Sequence, residues 1–554
     1  MQKAIECEKE ILSSEIADWE QSDSDKGQVY TRTEVVEFML TAMGLNTCDD
    51  LKNVRFLEPS CGEGEFVVAI VDRLINIPKK RPAVRELATK LLAVDLVKNS
   101  LEITKKKVVI LLKKRGYENI EIKSLLNQWF LSADFLLANI TPDFTHVIGN
   151  PPYIRVENIP KSLLREYRSQ FSTMTDRADL YIPFFEKSLS LLKDSGRLSF
   201  ICTDRWTKNT YGKSLRRMIS DNYGLELFVD LYGVEPFEKD VMTYPAITQI
   251  KRGKCEQTVL KHKTTFSNEE ANEVVSAIKG EKTTLQVRKA IVKDDKPWLI
   301  GSSDQIALIH KLEKRFPLLE DAGCNVFIGA ATGSNKVYIV DSDKVGFEIE
   351  EERLLPVVTA NELKGGSIAW REKYLINTYD ENGVINLDDY PKLSGYLHSH
   401  QEELCKRYVA KKDTVKWFKT IDRVYESRAK MRKLLIPDIS SEPIVLYDNG
   451  KYHPNNSIYY ICSEKWNLHA LRVVLLSSVT KLFISTYSTK IAKGYLRFQA
   501  QHLRKLRLPN WDSVNPSLQL RLEYAGKSND IDSFTELTCE MYQLSKVEKS
   551  IVGI

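Results

Sequence analysis

Gly149-Asn150-Pro151-Pro152-Tyr153 follows directly on an apolar run, 144–148, that reads as a buried strand. Two consecutive prolines after a strand make a stiff turn whose carbonyls local amide donors cannot claim. The Asn150 side-chain oxygen and the Pro151 carbonyl are then both available to one external donor. A planar NH2 group has two hydrogens and suits two acceptors. Its nitrogen lone pair is delocalised and poorly nucleophilic. Accepting both hydrogens while that nitrogen moves toward tetrahedral geometry stabilises charge that develops only in the transition state. Tyr153 adds an aromatic face for stacking, beside Pro152. A purely structural Pro-Pro turn is the alternative, and two motifs upstream weigh against it.

The first of these is Phe56-Leu57-Glu58-Pro59-Ser60-Cys61-Gly62-Glu63-Gly64-Glu65-Phe66, between a strand-like run and a helical pattern. Gly62 and Gly64 let the backbone turn tightly and approach a ligand, and Glu58 at the strand end can meet a cationic or hydroxyl-bearing partner. The spacing is neither a GxGxxG dinucleotide fingerprint nor a Lys-Ser/Thr phosphate loop. Cys61 has no histidine partner in the motif and reads as a small residue packed under the turn. The second is Asp95, which closes the strand-like run 91–96, where an α/β fold places the carboxylate that binds ribose hydroxyls.

These turns need a frame in which strand ends converge. From 27 to 255, apolar runs at 54–57, 91–96, 144–148 and 198–202 alternate with helical patterns, the mark of a doubly wound, mainly parallel α/β sheet. Positions 179–193 carry Leu180, Phe184, Leu189 and Leu192 near helical spacing, and Asp194-Ser195-Gly196 supplies the stop. Residues 1–26 read as a helical lead and 256–310 as a polar, Lys/Glu-rich connecting segment. A mixed α+β domain is expected over 311–510 and a helical tail over 511–554. Within the second domain, 327–340 and 433–460 read as strands joined by turns, Asp448-Asn449-Gly450 among them.

Charge divides unevenly along the 554 residues. Residues 401–510 hold 21 Lys+Arg against 9 Asp+Glu in a chain of net charge +5, so the remainder is net negative. Between Glu464 and Asp512 there is no carboxylate at all. This polarity points to a polyanionic partner for the C-terminal part, with a merely solvated basic face as the bland alternative. Lys411, Lys412, Lys416, Trp417, Phe418 and Arg423, then Lys493, Tyr495, Arg497 and Phe498, interleave basic and aromatic residues as phosphate contacts beside packing surfaces would. Each aromatic taken singly reads as core. No run approaches the ~20 apolar residues of a membrane span, and the first twenty positions are studded with acids, so a cytoplasmic protein is expected. Nine scattered cysteines without CxxC spacing argue against disulfides or zinc, and nothing completes a metal site around His398-Ser399-His400, so no metal is expected.

Taken in order, the motifs resemble those of the gamma class of S-adenosylmethionine-dependent DNA adenine-N6 methyltransferases, the TaqI/PaeR7I-type modification methylases. The likeness runs over about residues 27–250: Gly27-Gln28-Val29-Tyr30-Thr31-Arg32-Thr33-Glu34-Val35-Val36, the Glu58 turn, Asp95, Ser132-Ala133-Asp134-Phe135, Asn150 with Pro151, Pro152 and Tyr153, Asp179-Leu180-Tyr181, and Gly233 through Phe237. The resemblance implies that Thr31, Glu58, Ser60, Cys61 and Gly62 hold the methionine part of S-adenosylmethionine, Asp95 its ribose, and Asp134 with Phe135 its adenine. It also implies that Tyr153 and Phe237 flank a flipped target base. One departure is Arg32, where the family usually carries Pro.

Only about eighty residues separate the glycine turn from Asn150, too few for a DNA-reading domain, so recognition is expected C-terminally, where the positive charge lies. There Gly329-Ala330-Ala331-Thr332-Gly333-Ser334-Asn335 resembles a glycine-rich segment of these enzymes, and Lys416 and Arg497 are candidate contacts to double-stranded DNA. A fused nuclease is not expected: Pro437-Asp438 lacks a Glu-x-Lys at suitable spacing and the 26-residue lead is short. A separately encoded restriction endonuclease is the candidate partner. The competing readings are an Asn-Pro-Pro-Tyr enzyme acting on RNA guanine-N2 or a protein glutamine amide, and a catalytically idle DNA-recognition subunit.

Overall fold

The computed structural model describes residues 29–554 except 232, 239–244, 263, 290, 302, 441–442 and 489–495. The expected helical lead, Gly27, Gln28, Lys493 and Tyr495 therefore lie outside the described residues. Two compact units divide between Ile300 and Gly301.

The first unit is built on a nine-stranded sheet: β1 (Phe56–Glu58), β2 (Leu91–Asp95), β3 (Phe130–Ser132), β4 (Phe144–Gly149), β5 (Leu192–Thr203), β6 (Tyr223–Asp230), β7 (Pro245–Arg252), β8 (Gln257–His262) and β9 (Gln286–Lys289). Their spatial order is β3-β2-β1-β4-β5-β7-β6-β8-β9. The first five run parallel, while β7 lies antiparallel between β5 and β6. Strand side chains alternate between two cores, as a pleat with both faces covered requires. Phe56 and Ile148 enter one core, and Leu57 and Val147 enter the other. Helices Thr33–Ala42, Glu65–Asn76 and Lys98–Lys114 cover the first face, with Val36, Ile70 and Val108 fully or almost fully buried. Helices Lys161–Gln170, Tyr181–Ser190 and Lys213–Asn222 cover the second, through Leu163, Phe185 and Ile219. The result is the doubly wound α/β layer architecture.

The segment expected to connect the domains is instead largely structural. Strands β8 and β9 extend the sheet, and helix Asn268–Ile278 packs against helix Thr33–Ala42. That helix buries only Ala271, Val274 and Ala277, so its apolar stripe is three small residues wide and its composition reads as polar. Residues 192–194, expected to end a helix, already belong to β5, with Ser195 at a φ of 62°.

The second unit contains two four-stranded sheets. One orders β10 (Cys324–Ile328), β18 (Ile458–Ser463), β14 (Lys433–Pro437) and β16 (Leu446–Asp448); the other orders β11 (Ile339–Asp341), β13 (Lys373–Ile376), β12 (Leu354–Val358) and β17 (His453–Pro454). Strands β15 (Ile439–Ser440) and β19 (Leu496–Arg497) pair separately. The expected tail is integral here: helix Pro516–Ser528 buries Leu518, Leu522 and Ala525 in the same core as helix Leu468–Leu476. No single helix among the described residues is long and apolar enough to cross a membrane.

Candidate active site

The chain steps outward from β1 to β2 and β3, then returns to the other side of β1 for β4. At such a reversal the connections diverge and leave a crevice beyond the carboxyl ends of the strands. A cavity opens there, lined among others by Tyr30, Thr31, Ser60, Cys61, Gly62, Asp95, Asp134, Phe135, Asn150 and Pro152. Residues expected from five separated stretches of sequence thus meet at one place.

The glycine turn is fixed from its neighbours. Gly62 and Gly64 take φ values of 51° and 95°, which disfavour any side chain. The Asp95 carboxylate accepts from the amides of Gly62 at 2.7 Å and Val97 at 2.8 Å, which sets its plane at the cavity wall. The Ser60 hydroxyl donates to the Asn150 main-chain oxygen at 3.1 Å and joins this turn to the Asn-Pro-Pro turn. Burial pushes the Cys61 thiol well above its ordinary range, so it stays protonated and is no nucleophile at neutral pH. Glu58 lies behind the turn and does not line the cavity. It is completely buried; Oε1 accepts from the Ser60 amide at 3.2 Å, and Oε2 has no partner. Burial raises its pKa well above the usual carboxylate range. Gly149 makes room for it, since a Cβ there would overlap Glu58 Oε1 and stand 3.0 Å from Glu58 Cδ.

At the other end, Asp134 accepts from the Leu136 amide at 2.8 Å and the Tyr167 hydroxyl at 2.6 Å. Burial raises its pKa above the usual carboxylate range, opposed only in part by the Tyr167 hydrogen bond. Phe135, Ile154, Leu180 and Phe184 make the surrounding wall apolar. These residues suit S-adenosylmethionine: an apolar slot beside a carboxylate for a purine carrying an amine, Asp95 for ribose hydroxyls, and an acidic lining that includes Glu65 for a cationic sulfonium. Tyr167 and Phe184 carry no signal beyond helical apolar spacing, and no role at the site is legible for them in the sequence.

Asn150 is oriented by a strap formed of Val29, Tyr30 and Thr31. Its Nδ2 donates to the Val29 carbonyl at 2.8 Å and to Thr31 Oγ1 at 3.2 Å, which fixes the amide orientation. Oδ1 is buried and has no hydrogen-bond partner. A buried unpaired acceptor is costly, so its persistence at a cavity wall marks a place for an external donor. Pro151 is buried next to it. The Tyr153 hydroxyl donates to the Ile201 carbonyl at 3.2 Å, and its ring meets Phe237 edge-on, centroids 6.3 Å apart at 70°. Phe237 is 5% exposed and packs in the core, so the two rings are brought together but do not stand as an open slot. The strap also pairs with the segment bearing Phe237, through a bridge between Thr31 and Phe237 and a bond from the Glu238 amide to the Tyr30 carbonyl. The Tyr30 hydroxyl donates to Glu63 at 2.9 Å, and burial, with Glu63, pushes its pKa up to about 12.

In the second unit Lys411, Lys412 and Lys416 are exposed, whereas Trp417, Phe418 and Phe498 are buried in cores. Several arginines of the basic stretch have internal partners. Arg472 donates to the carbonyls of Val445 and Gly526, and Arg504 to Glu320 and the Val326 carbonyl. Arg407 donates to the carbonyls of Thr332 and Trp417, tying down the glycine-rich segment. The Arg497 main chain pairs with Ile439, and its side chain lies outside the described atoms. Among the described residues no group of three or more His, Cys, Asp and Glu side chains is placed to hold a metal ion.

Comparison with known proteins places this geometry in context. Residues 82–237 match the Eco57I restriction-modification methylase family, and 355–508 match the TaqI-like C-terminal specificity domain. The chain is 40% identical over 543 residues to the type II methyltransferase M.XhoI of Xanthomonas vasicola, covering 96% of this chain and 99% of that one. It is 40% identical to M.PaeR7I of Pseudomonas aeruginosa over 95% of this chain and 93% of that one. M.BstVI of Geobacillus stearothermophilus is 38% identical over 95% and 97%. Among solved structures, the type IIL restriction-modification enzyme MmeI in complex with DNA superposes with a TM-score of 0.63 at 11% identity, over 93% of this chain and 74% of that one.

Proposed function

The chain belongs to the type II methyltransferases of restriction-modification systems, and from that premise we propose that the group it methylates is the N6 amine of an adenine turned out of duplex DNA and held at Asn150. As a member of the family it is a site-specific, S-adenosylmethionine-dependent DNA methyltransferase. The cofactor supplies a methyl group activated by a sulfonium.

The observation that carries the adenine reading is Asn150 Oδ1, a buried acceptor without a donor, on an amide whose two hydrogens are already engaged by Val29 and Thr31. Such a group cannot take a proton away, because an amide is not a base at neutral pH. It can accept from an amine, and that hydrogen bond strengthens as the nitrogen lone pair leaves conjugation and positive charge grows on N–H. The Pro151 carbonyl serves as second acceptor in this reading. Tyr153 and Phe237 flank the ring. Two faces need about 7 Å between them to admit a ring at van der Waals contact, so Phe237 must turn away from its edge-on packing when the base arrives. The exposed lysines 411, 412 and 416 hold backbone phosphates, and a separately encoded restriction endonuclease shares the recognition sequence.

The test is chemical. Duplex DNA methylated by the purified enzyme is digested to nucleosides and resolved by mass spectrometry. N6-methyladenine is expected, confined to one short duplex motif. N4-methylcytosine, or no methylated nucleoside, refutes the adenine assignment.

A further inference from the structure

The contacts of Arg32 use both its amide hydrogen and its long cationic side chain. Its amide donates to the Pro236 carbonyl at 3.0 Å, and its Nε donates to the Phe237 carbonyl at 3.0 Å. Nη2 reaches Glu235 Oε2 at 3.5 Å, an exposed pair that contributes little by itself. On its other side Arg32 is the N-cap of helix Thr33–Ala42, its carbonyl accepting from the amides of Val35 and Val36. That helix is buried along most of its length. Arg32 is therefore a rigidly mounted residue whose guanidinium grips the main chain of Phe237 itself.

We propose that Arg32 is a positioning residue for methyl transfer: it pins the Phe237 main chain to the strap that orients Asn150, so that the aromatic wall and the amide acceptor are set by one element. The inference rests on the adenine reading above. Phe237 must change its ring orientation to leave room for a base opposite Tyr153. With the Phe237 and Pro236 carbonyls held by Arg32 and the Glu238 amide held by the strap at Tyr30, the ring turns about its own side-chain torsions while the backbone stays in place. Without the grip, the segment shifts as a whole and the base is held at varying distances from Asn150. Arg32 does not itself line the cofactor cavity, and its side chain bonds the Phe237 carbonyl, so cofactor affinity is not its readout.

The experiment compares full-length wild-type enzyme with Arg32→Ala, Arg32→Lys, Arg32→Pro and Glu235→Gln. Arg32 has a φ of −62°, the value proline imposes, so Arg32→Pro removes both donors without straining the backbone. Four quantities are read: cofactor affinity by calorimetry; kcat and DNA KM on the duplex that the wild type methylates; and hydrogen exchange of the 233–238 peptide in the DNA-free enzyme. The same duplex with 2-aminopurine at the target position reports stacking by fluorescence. Arg32→Ala and Arg32→Pro are expected to lower kcat about tenfold or more, the scale of losing hydrogen bonds from a charged donor, with cofactor affinity and DNA KM within about twofold. Exchange at 233–238 rises and the 2-aminopurine emission differs from wild type. Arg32→Lys falls between, and Glu235→Gln stays within about twofold of wild type.

Wild-type kcat together with wild-type exchange in Arg32→Ala overturns the proposal. A fall in cofactor affinity matching the fall in kcat overturns it too, because that signature belongs to general damage at the cavity. If the wild type methylates no adenine, the adenine reading fails on its own. Exchange at 233–238 then decides whether Arg32 holds the segment: a rise in Arg32→Ala supports the grip, and no rise overturns it.

Discussion

Gly149→Ala is the substitution that most directly tests how the two turns of the site are locked together. Alanine brings no backbone strain there, since Gly149 does not take a positive φ. The cost is contact alone: the new Cβ overlaps Glu58 Oε1 and lies 3.0 Å from Glu58 Cδ, inside the 3.5–4.0 Å of ordinary carbon contact. Glu58 has no exposed surface through which to escape. Overpacking of this kind costs about 1–3 kcal/mol. If the carboxyl rotates away instead, the Ser60 amide loses its acceptor, a further ~1–3 kcal/mol. We expect a total loss of roughly 2–6 kcal/mol when both apply. Displacing Asn150, the next residue, by a few tenths of an ångström to 1 Å lowers the single-turnover rate about 10- to 100-fold. A double-mutant cycle with Glu58→Asp isolates the cause, because the shorter carboxylate withdraws from the space the Cβ needs. Stability is followed by urea titration and transfer by rapid quench with a tritiated methyl group. Coupling of at least about 1 kcal/mol is expected, and additivity within ~0.5 kcal/mol would show that Glu58 is not the reason glycine stands at 149.

Asn150→Ala should lower kcat by about 10²–10³ with cofactor affinity little changed, and turnover within tenfold of wild type in a quench assay would remove Asn150 from the chemistry. Tyr167→Phe deletes the 2.6 Å bond to Asp134 and should weaken cofactor binding about tenfold by calorimetry, with kcat kept at saturating cofactor. His146, buried between strands and lowered to about 3 by burial with help from Arg197 and Lys193, must stay neutral in the folded chain. Its contribution is therefore complete above pH 6.5 and lost as pH falls toward 3, about 2 kcal/mol by pH 5; His146→Gln should flatten that part of the stability profile, and an unchanged slope would contradict the assignment. Replacing Lys411, Lys412 and Lys416 with alanine should make the dependence of log affinity for DNA on log salt shallower by about 0.9 per lost phosphate contact, and an unchanged slope would move the phosphate contacts elsewhere.

What the sequence reveals about this site is the side chains that act as themselves. Asn150, Asp95, Asp134 and the glycine turn are legible because strand ends in a doubly wound sheet must converge, and all of them reach the cavity wall. Glu58 is legible as important but not as buried, because its place behind the turn depends on Gly149 having no side chain. The Val29 carbonyl that orients Asn150 has no letter of its own, and lies 121 residues away. Composition misleads where one stripe does the packing, as in helix Asn268–Ile278, and where arginine serves as internal scaffolding. Arg407, Arg472 and Arg504 count toward the basic balance of the C-terminal part yet spend their donors on carbonyls and a carboxylate of their own unit.

The pairing of the strap with the Phe237 segment also has a history in time. The bond from Arg32 to Phe237 spans 205 residues, far more than the 33 between Asp95 and the glycine turn it holds. At roughly 5–20 residues per second, a ribosome takes some 10–40 s to make the intervening chain. Throughout that interval the strap has emerged and its partner has not, and closing so long a loop carries a larger entropic cost than closing the short one. The glycine turn can organise early, whereas the wall that faces Tyr153 is finished only after β6. Methylation by this chain thereby requires synthesis to have passed Phe237: a growing polypeptide can own every residue of its cofactor site and still lack the wall that faces Tyr153.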